Sequence, residues 1–104
     1  MSGIFPDWFS PITTINHSQT VVSSTDSKVA MVSRPARQYM RLTNLGPNTE
    51  FLAFKSTNAV KSQNFRLGSG ETFETTLGNR IVDTVSVISS ASATGQRLLK
   101  MESY

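Results

Sequence analysis

At 104 residues the chain makes one small domain rather than two. Its charged fraction of 16% lies well below the roughly 25% usual for soluble domains, and 27 Ser and Thr fill the gap. That composition excludes a coiled coil or a charged disordered tail, and the absence of cysteine excludes a disulfide framework, a thiolate metal site and a thiol nucleophile. The net charge of +3 comes from ten Lys and Arg against seven Asp and Glu with no run of three cations, which does not describe a polybasic binder. No apolar stretch approaches bilayer length and the N-terminus lacks a cationic signal-peptide start, so a soluble chain with no membrane partner is expected.

Residues 1–17 (MSGIFPDWFSPITTINH) stand apart from the rest. Ile4, Phe5, Trp8 and Phe9 cluster around Pro6 and Pro11, Ile12 and Ile15 follow, and no strand or helix period is sustained. Each proline biases the residue before it toward extended backbone, so a continuous helix is not expected. The segment reads as an extended arm whose side chains must dock, since burying each aromatic is worth about 2–3 kcal/mol. It either covers one end of its own domain or inserts Phe5, Trp8, Phe9 and Ile12 into a neighbouring subunit. The long stretch without alternation before the first readable strand favours the neighbour.

From residue 18 the pattern turns to β. Thr20–Val22 and Lys28–Val32 are short β-branched runs separated by the turn-prone Ser23–Ser27. Gln38–Leu45 alternates, with Met40 and Leu42 on one face and Tyr39, Arg41 and Thr43 on the other, until Gly46-Pro47-Asn48 ends it. Thr49–Lys55 follows, and a hairpin between these two strands is expected. Phe65 and Leu67 precede Gly68-Ser69-Gly70-Glu71, and Thr72–Leu77 resumes, a second hairpin signature. Ile81–Ser89 is the longest β-branched run, and Ser90–Gly95 releases it into Gln96–Glu102. The expected fold class is all-β, an antiparallel β-sandwich or small barrel of six to eight strands. It divides into an extended N-terminal arm (1–17) and a β-sandwich domain (18–104), with the boundary near residue 17 or near Arg34-Pro35.

Acid–base and nucleophilic chemistry find few candidates. His17 is the single histidine, Asp7, Asp26 and Asp83 are scattered through arm, turn and strand, and no G-x-S-x-G elbow presents a serine. His17 is expected to be a solvated residue at the arm's exit. Glu71 and Glu74 fall on opposite faces of a strand and make no metal pair. Gly68-Ser69-Gly70 lacks the lysine and following helix of a phosphate loop. No catalytic residue, metal or cofactor is expected, and an enzyme is the least favoured class.

Arg34, Arg37 and Arg41 lie within eight residues, and in an extended chain Arg37, Tyr39 and Arg41 share a face, an aromatic between two cations. This is the minimal geometry of a nucleic-acid stripe. It serves a subunit interface equally well, and the other strands add little positive charge to extend it. A protein interface or a solvated face is therefore expected ahead of nucleic acid.

The segment Met40–Phe54 (MRLTNLGPNTEFLAF), followed by Phe65–Glu71 (FRLGSGE) and the Val- and Ser-rich Ile81–Ser90, resembles small β-sandwich virion structural proteins of tailed bacteriophages. Asn44 and Gly46 match the first turn of that pattern, and Leu67, Gly70 and Glu71 the second, with Ser69 where proline is usual. The resemblance spans residues 37–102 and leaves out the arm. It implies a capsid decoration or cement protein, or alternatively a head-fibre, tail or neck component. The expected partners are the major capsid protein or another virion protein and further copies of the chain. The expected location is the virion, assembled in the host cytoplasm. The residues expected to meet partners are Phe5, Trp8, Phe9, Ile12, Arg34, Arg37, Tyr39 and Arg41. A carbohydrate-binding module using Trp8, Tyr39 or Tyr104, and a single-stranded nucleic-acid binder, are the readings from other classes.

Overall fold

A computed structural model describes residues 14–55, 58–60, 65–75 and 79–104. Eight strands form in chain order: β1 Ile15–Val21, β2 Lys28–Met31, β3 Tyr39–Asn44, β4 Glu50–Phe54, β5 Phe65–Leu67, β6 Thr72–Glu74, β7 Val85–Ser89 and β8 Arg97–Ser103. They make two four-stranded antiparallel sheets, β1-β8-β3-β6 and β2-β7-β4-β5, with no α-helix among the described residues. The strand that opens the domain starts at Ile15, ahead of the boundary at residue 17, because Ile15, Asn16 and His17 pair with Ser103, Glu102 and Met101.

The pairings are nested: β1 with β8, β2 with β7, β3 with β6 and β4 with β5. The chain is one long hairpin folded between β4 and β5 and then rolled, with β3 meeting β8 and β4 meeting β7 to close the roll. This is the jelly-roll topology. Neither expected hairpin forms. β3 and β4 lie in different sheets, as do β5 and β6, so both Gly-containing turns are corners that carry the chain across the core. At the first corner the Asn44 side chain directs the path. Its Oδ1 accepts from Gly46 N at 2.9 Å and its Nδ2 donates to the carbonyls of Asn48 and Leu67.

Alternation then fills the interior. Met40 and Leu42 of β3, Leu52 of β4, Leu67 of β5, Val85 and Val87 of β7 and Leu98 of β8 are buried in one core with Val22, Ala30 and Met31. Two seams remain where sheet edges face one another. Between β5 and β6 the seam is closed by Phe54, Phe65 and Phe73, whose ring centroids lie 5.0–6.0 Å apart. Between β1 and β2 it stays open, because β1 turns the polar Asn16, Ser18 and Thr20 toward it. The outer face of the second sheet also carries a small apolar cluster, Phe51, Ala53 and Ile88, with Ala59 laid over it and tied by its N–H to Ser27 Oγ at 2.7 Å.

Candidate functional site

The connections alternate between the two ends of the roll. The β1–β2, β3–β4, β5–β6 and β7–β8 connections share one end, and both edges of the described domain, Thr14 and Tyr104, lie at the other. Thr14 and Tyr104 exchange backbone hydrogen bonds of 2.7 and 2.9 Å. The arm side chains Phe5, Trp8, Phe9 and Ile12 lie outside the described residues, so the structure gives the arm's root and not its destination.

At that root the expected arginine stripe divides. Arg34-Pro35-Ala36-Arg37 forms a turn, with the Arg37 N–H donating to the Arg34 carbonyl at 3.0 Å, and this swings Arg37 beneath the sheets. Arg37 is completely buried. Its Nε donates to Glu102 Oε1 at 2.9 Å, Nη1 to the carbonyls of Ile81 and Asp83, and Nη2 to Val32 O at 2.6 Å. The guanidinium fork therefore clamps three chain segments with four of its five N–H donors, and the side chain lies inside the domain rather than on the outer face expected to carry it beside Tyr39 and Arg41. Arg34 shares Glu102 Oε1 at 3.1 Å and stacks its guanidinium 4.0 Å from the Tyr104 ring centroid. Tyr39 and Arg41 do share the outer face of β3, opposite Ser103 and Met101. The Tyr39 hydroxyl is committed to Glu74 Oε2 at 2.6 Å, and that bond, more than burial, holds its pKa above the usual phenol value.

Beside this cluster the open β1–β2 seam forms a cleft of about 390 Å³, lined by Asn16, Ser18, Val29, Arg34, Lys100 and Glu102 among others. Lys100 and Glu102 point inward because Leu98, two and four residues earlier on β8, fixes the phase. The Lys100 ammonium donates to the Ala30 carbonyl, and burial holds its pKa below the usual lysine value against the pull of Glu102. The cleft offers hydrogen-bonding groups of both kinds. His17 belongs to the outer face of β1, exposed, as expected of a solvated residue.

The opposite end is closed by a second polar cluster that composition alone did not mark. Gln96 Nε2 donates to Glu50 Oε2 at 2.6 Å and to the Asn48 carbonyl at 3.0 Å, while its Oε1 accepts from Asn48 N at 3.0 Å. Glu50 is fully buried and its Oε1 has no hydrogen-bond partner. Burial raises its pKa from 4.5 to about 7, with only the Gln96 bond opposing.

Glu102, Lys100, Glu50 and Gln96 were absent from the sequence expectations. The available signal was the strand period, which places Lys100 and Glu102 on the face of Leu98, and Glu50 on the face of Leu52. Among the described residues no three His, Asp or Glu side chains group as metal ligands, and no helix is long and apolar enough to cross a membrane. Compared with known protein families, curated proteins and solved structures, the chain matches none.

Proposed function

We propose that the chain is a structural protein of a bacteriophage virion, most simply a capsid decoration or cement protein held on the shell by its N-terminal arm. The observation that carries this is the jelly roll with an aromatic, Pro-broken segment leading into β1 beside Tyr104. Jelly rolls recur in viral capsid domains, which is support by fold analogy, and the arm supplies the physical means of attachment. Burying Phe5, Trp8, Phe9 and Ile12 at a seam of the major capsid protein would add apolar area there, and many copies would make modest contacts firm. Arg34, Tyr39 and Arg41 would lie at the rim of such a contact. In this reading the chain is no enzyme, binds no cofactor and resides on particles assembled in the host cytoplasm.

The test uses particles stripped of the chain and re-incubated with purified protein. Full-length protein should co-sediment with them to saturation, while protein lacking residues 1–13 should stay in the supernatant with its β-rich circular dichroism intact. Full occupancy by the truncated protein would overturn arm attachment, and absence of the chain from virions would overturn the reading. Electron microscopy that locates it on the tail or neck would instead support the tail-component alternative. A second reading, as a carbohydrate-binding module, is favoured by the hydrogen-bonding cleft between β1 and β2, since jelly rolls also serve as lectins. A glycan array without a hit disposes of it.

A further inference from the structure

The first strand of the domain is an edge that no described residue covers. Among the described residues β1 pairs only with β8, and its seven residues, INHSQTV, include no Lys, no Pro and no bulge, the usual devices against edge pairing. The other edges are shorter: three residues each in β5 and β6, and four in β2, whose register is also broken between Val29 and Met31.

The hydrogen-bond parity of β1 shows which groups the free edge presents. Thr14 and Tyr104 form a doubly bonded pair, and Val22 N donates to Gln96 O at 3.0 Å, so even-numbered residues point their backbone groups at β8. The N–H and C=O groups of Ile15, His17, Gln19 and Val21 therefore face outward along the free edge. These four side chains also share the outer face of the sheet, and Ile15 and Val21 are 60% and 75% exposed, the two highest values among the described large hydrophobics. They sit symmetrically about Ser18, three residues to either side.

We infer that β1 pairs antiparallel with β1 of a second copy across a two-fold axis at Ser18, joining two sheets into one of eight strands. That register is the one in which every unpaired backbone group of the strand finds a partner. Ile15 meets Val21 of the partner and His17 meets Gln19 in doubly hydrogen-bonded pairs, giving about eight hydrogen bonds across the edge. Ser18 meets Ser18 in the closer, non-bonded pair. Each exposed Ile15 is covered by a Val21 and each Val21 by an Ile15, the self-complementarity that a two-fold interface requires. No pair in this register juxtaposes like charges. A shift by one residue in either direction would bring the wrong backbone groups face to face. The pairing holds whether or not the protein belongs to a virion. Strand pairing alone buries less than the roughly 1,200–2,000 Å² of a stable interface, so association should depend on concentration in the micromolar to millimolar range.

The cysteine-free chain makes the register directly testable. Under mild oxidation Ser18→Cys should give a disulfide-linked dimer. Asn16→Cys and Thr20→Cys should each fail alone but cross-link when mixed, because 16 opposes 20. Light scattering should show a concentration-dependent dimer that Val21→Lys weakens by about tenfold or more, and since Val21 is exposed its circular dichroism should match the parent. A parent protein that stays monomeric up to millimolar concentration, or equal cross-linking at 18 and 20, would overturn the inference.

Discussion

The buried carboxyl at position 50 should make the domain less stable as pH rises. The Glu50 pKa is about 7 in the folded protein against 4.5 for an ordinary glutamate, so the folded state holds a proton that the unfolded chain releases. The contribution is fully present below pH 4.5, declines between 4.5 and about 7, and is gone above that. A gap of roughly two and a half pH units at about 1.4 kcal/mol each corresponds to about 3 kcal/mol. Glu50→Gln keeps the shape, keeps an oxygen for Gln96 Nε2 and cannot ionise. Urea unfolding of the two proteins should therefore show the variant gaining about 3 kcal/mol on the parent between pH 4 and pH 8. In a domain of this size that is roughly 10–20 °C of Tm. Taking the difference between the two proteins cancels every group they share, including the Glu102 ion pairs. A difference that stays flat across this range would show that the carboxylate is solvated in the folded state and would refute the reasoning.

Other substitutions separate the remaining terms. Arg37→Met should cost about 3–5 kcal/mol by denaturant, because it leaves the carbonyls of Val32, Ile81 and Asp83 without their donor and Glu102 with Arg34 alone; Arg37→Lys should recover little, since one ammonium cannot serve them together. Gly70→Ala and Gly95→Ala should each cost about 1 kcal/mol in thermal melts, since both glycines hold φ near +80° with open space around the added methyl. Gly46→Ala should cost more than either, because its methyl would run into the Gln96 side chain, locked among Asn44, Asn48 and Glu50. Stopped-flow refolding should fall in the millisecond-to-second range, since β1 must find β8 from the far end of the chain; microsecond folding would contradict the nested pairing.

All eight strands were legible as β-branched and alternating runs between Gly, Pro, Asn and Ser, and their bounds differ by a few residues, most at β1, which starts at Ile15 rather than Thr20, and at β7, where Ile81–Thr84 precede the strand. The sheet partition was not. Gly46-Pro47-Asn48 and Gly68–Glu71 have the chemistry of tight turns, which serves a corner between sheets as well as a hairpin within one. Phase along β4 offered no help, because Phe51 and Ala53 are buried on the outer face while Glu50 and Leu52 are buried on the inner one. The same ambiguity hid the arginine clamp: extending the period of Tyr39 and Arg41 back to residue 37 ignored the turn that Pro35 imposes. Polar side chains at inward positions read as breaks in the core pattern, when Glu50, Gln96, Arg37 and Glu102 are what close its two ends.

The hydrogen bonds between Thr14 and Tyr104 also decide which way the molecule can be extended. A cargo fused after Tyr104 emerges beside Thr14, the root of the arm, and under the proposed attachment would compete with the arm's partner. A cargo inserted between Ser90 and Gly95, at the opposite end of the roll, points away from it. The same adjacency allows a short linker to join residue 104 to residue 14 while new termini open in that far loop. Such a circular permutant would keep both sheets and lose the arm, separating the folding of the roll from the attachment proposed for residues 1–13 in a single molecule.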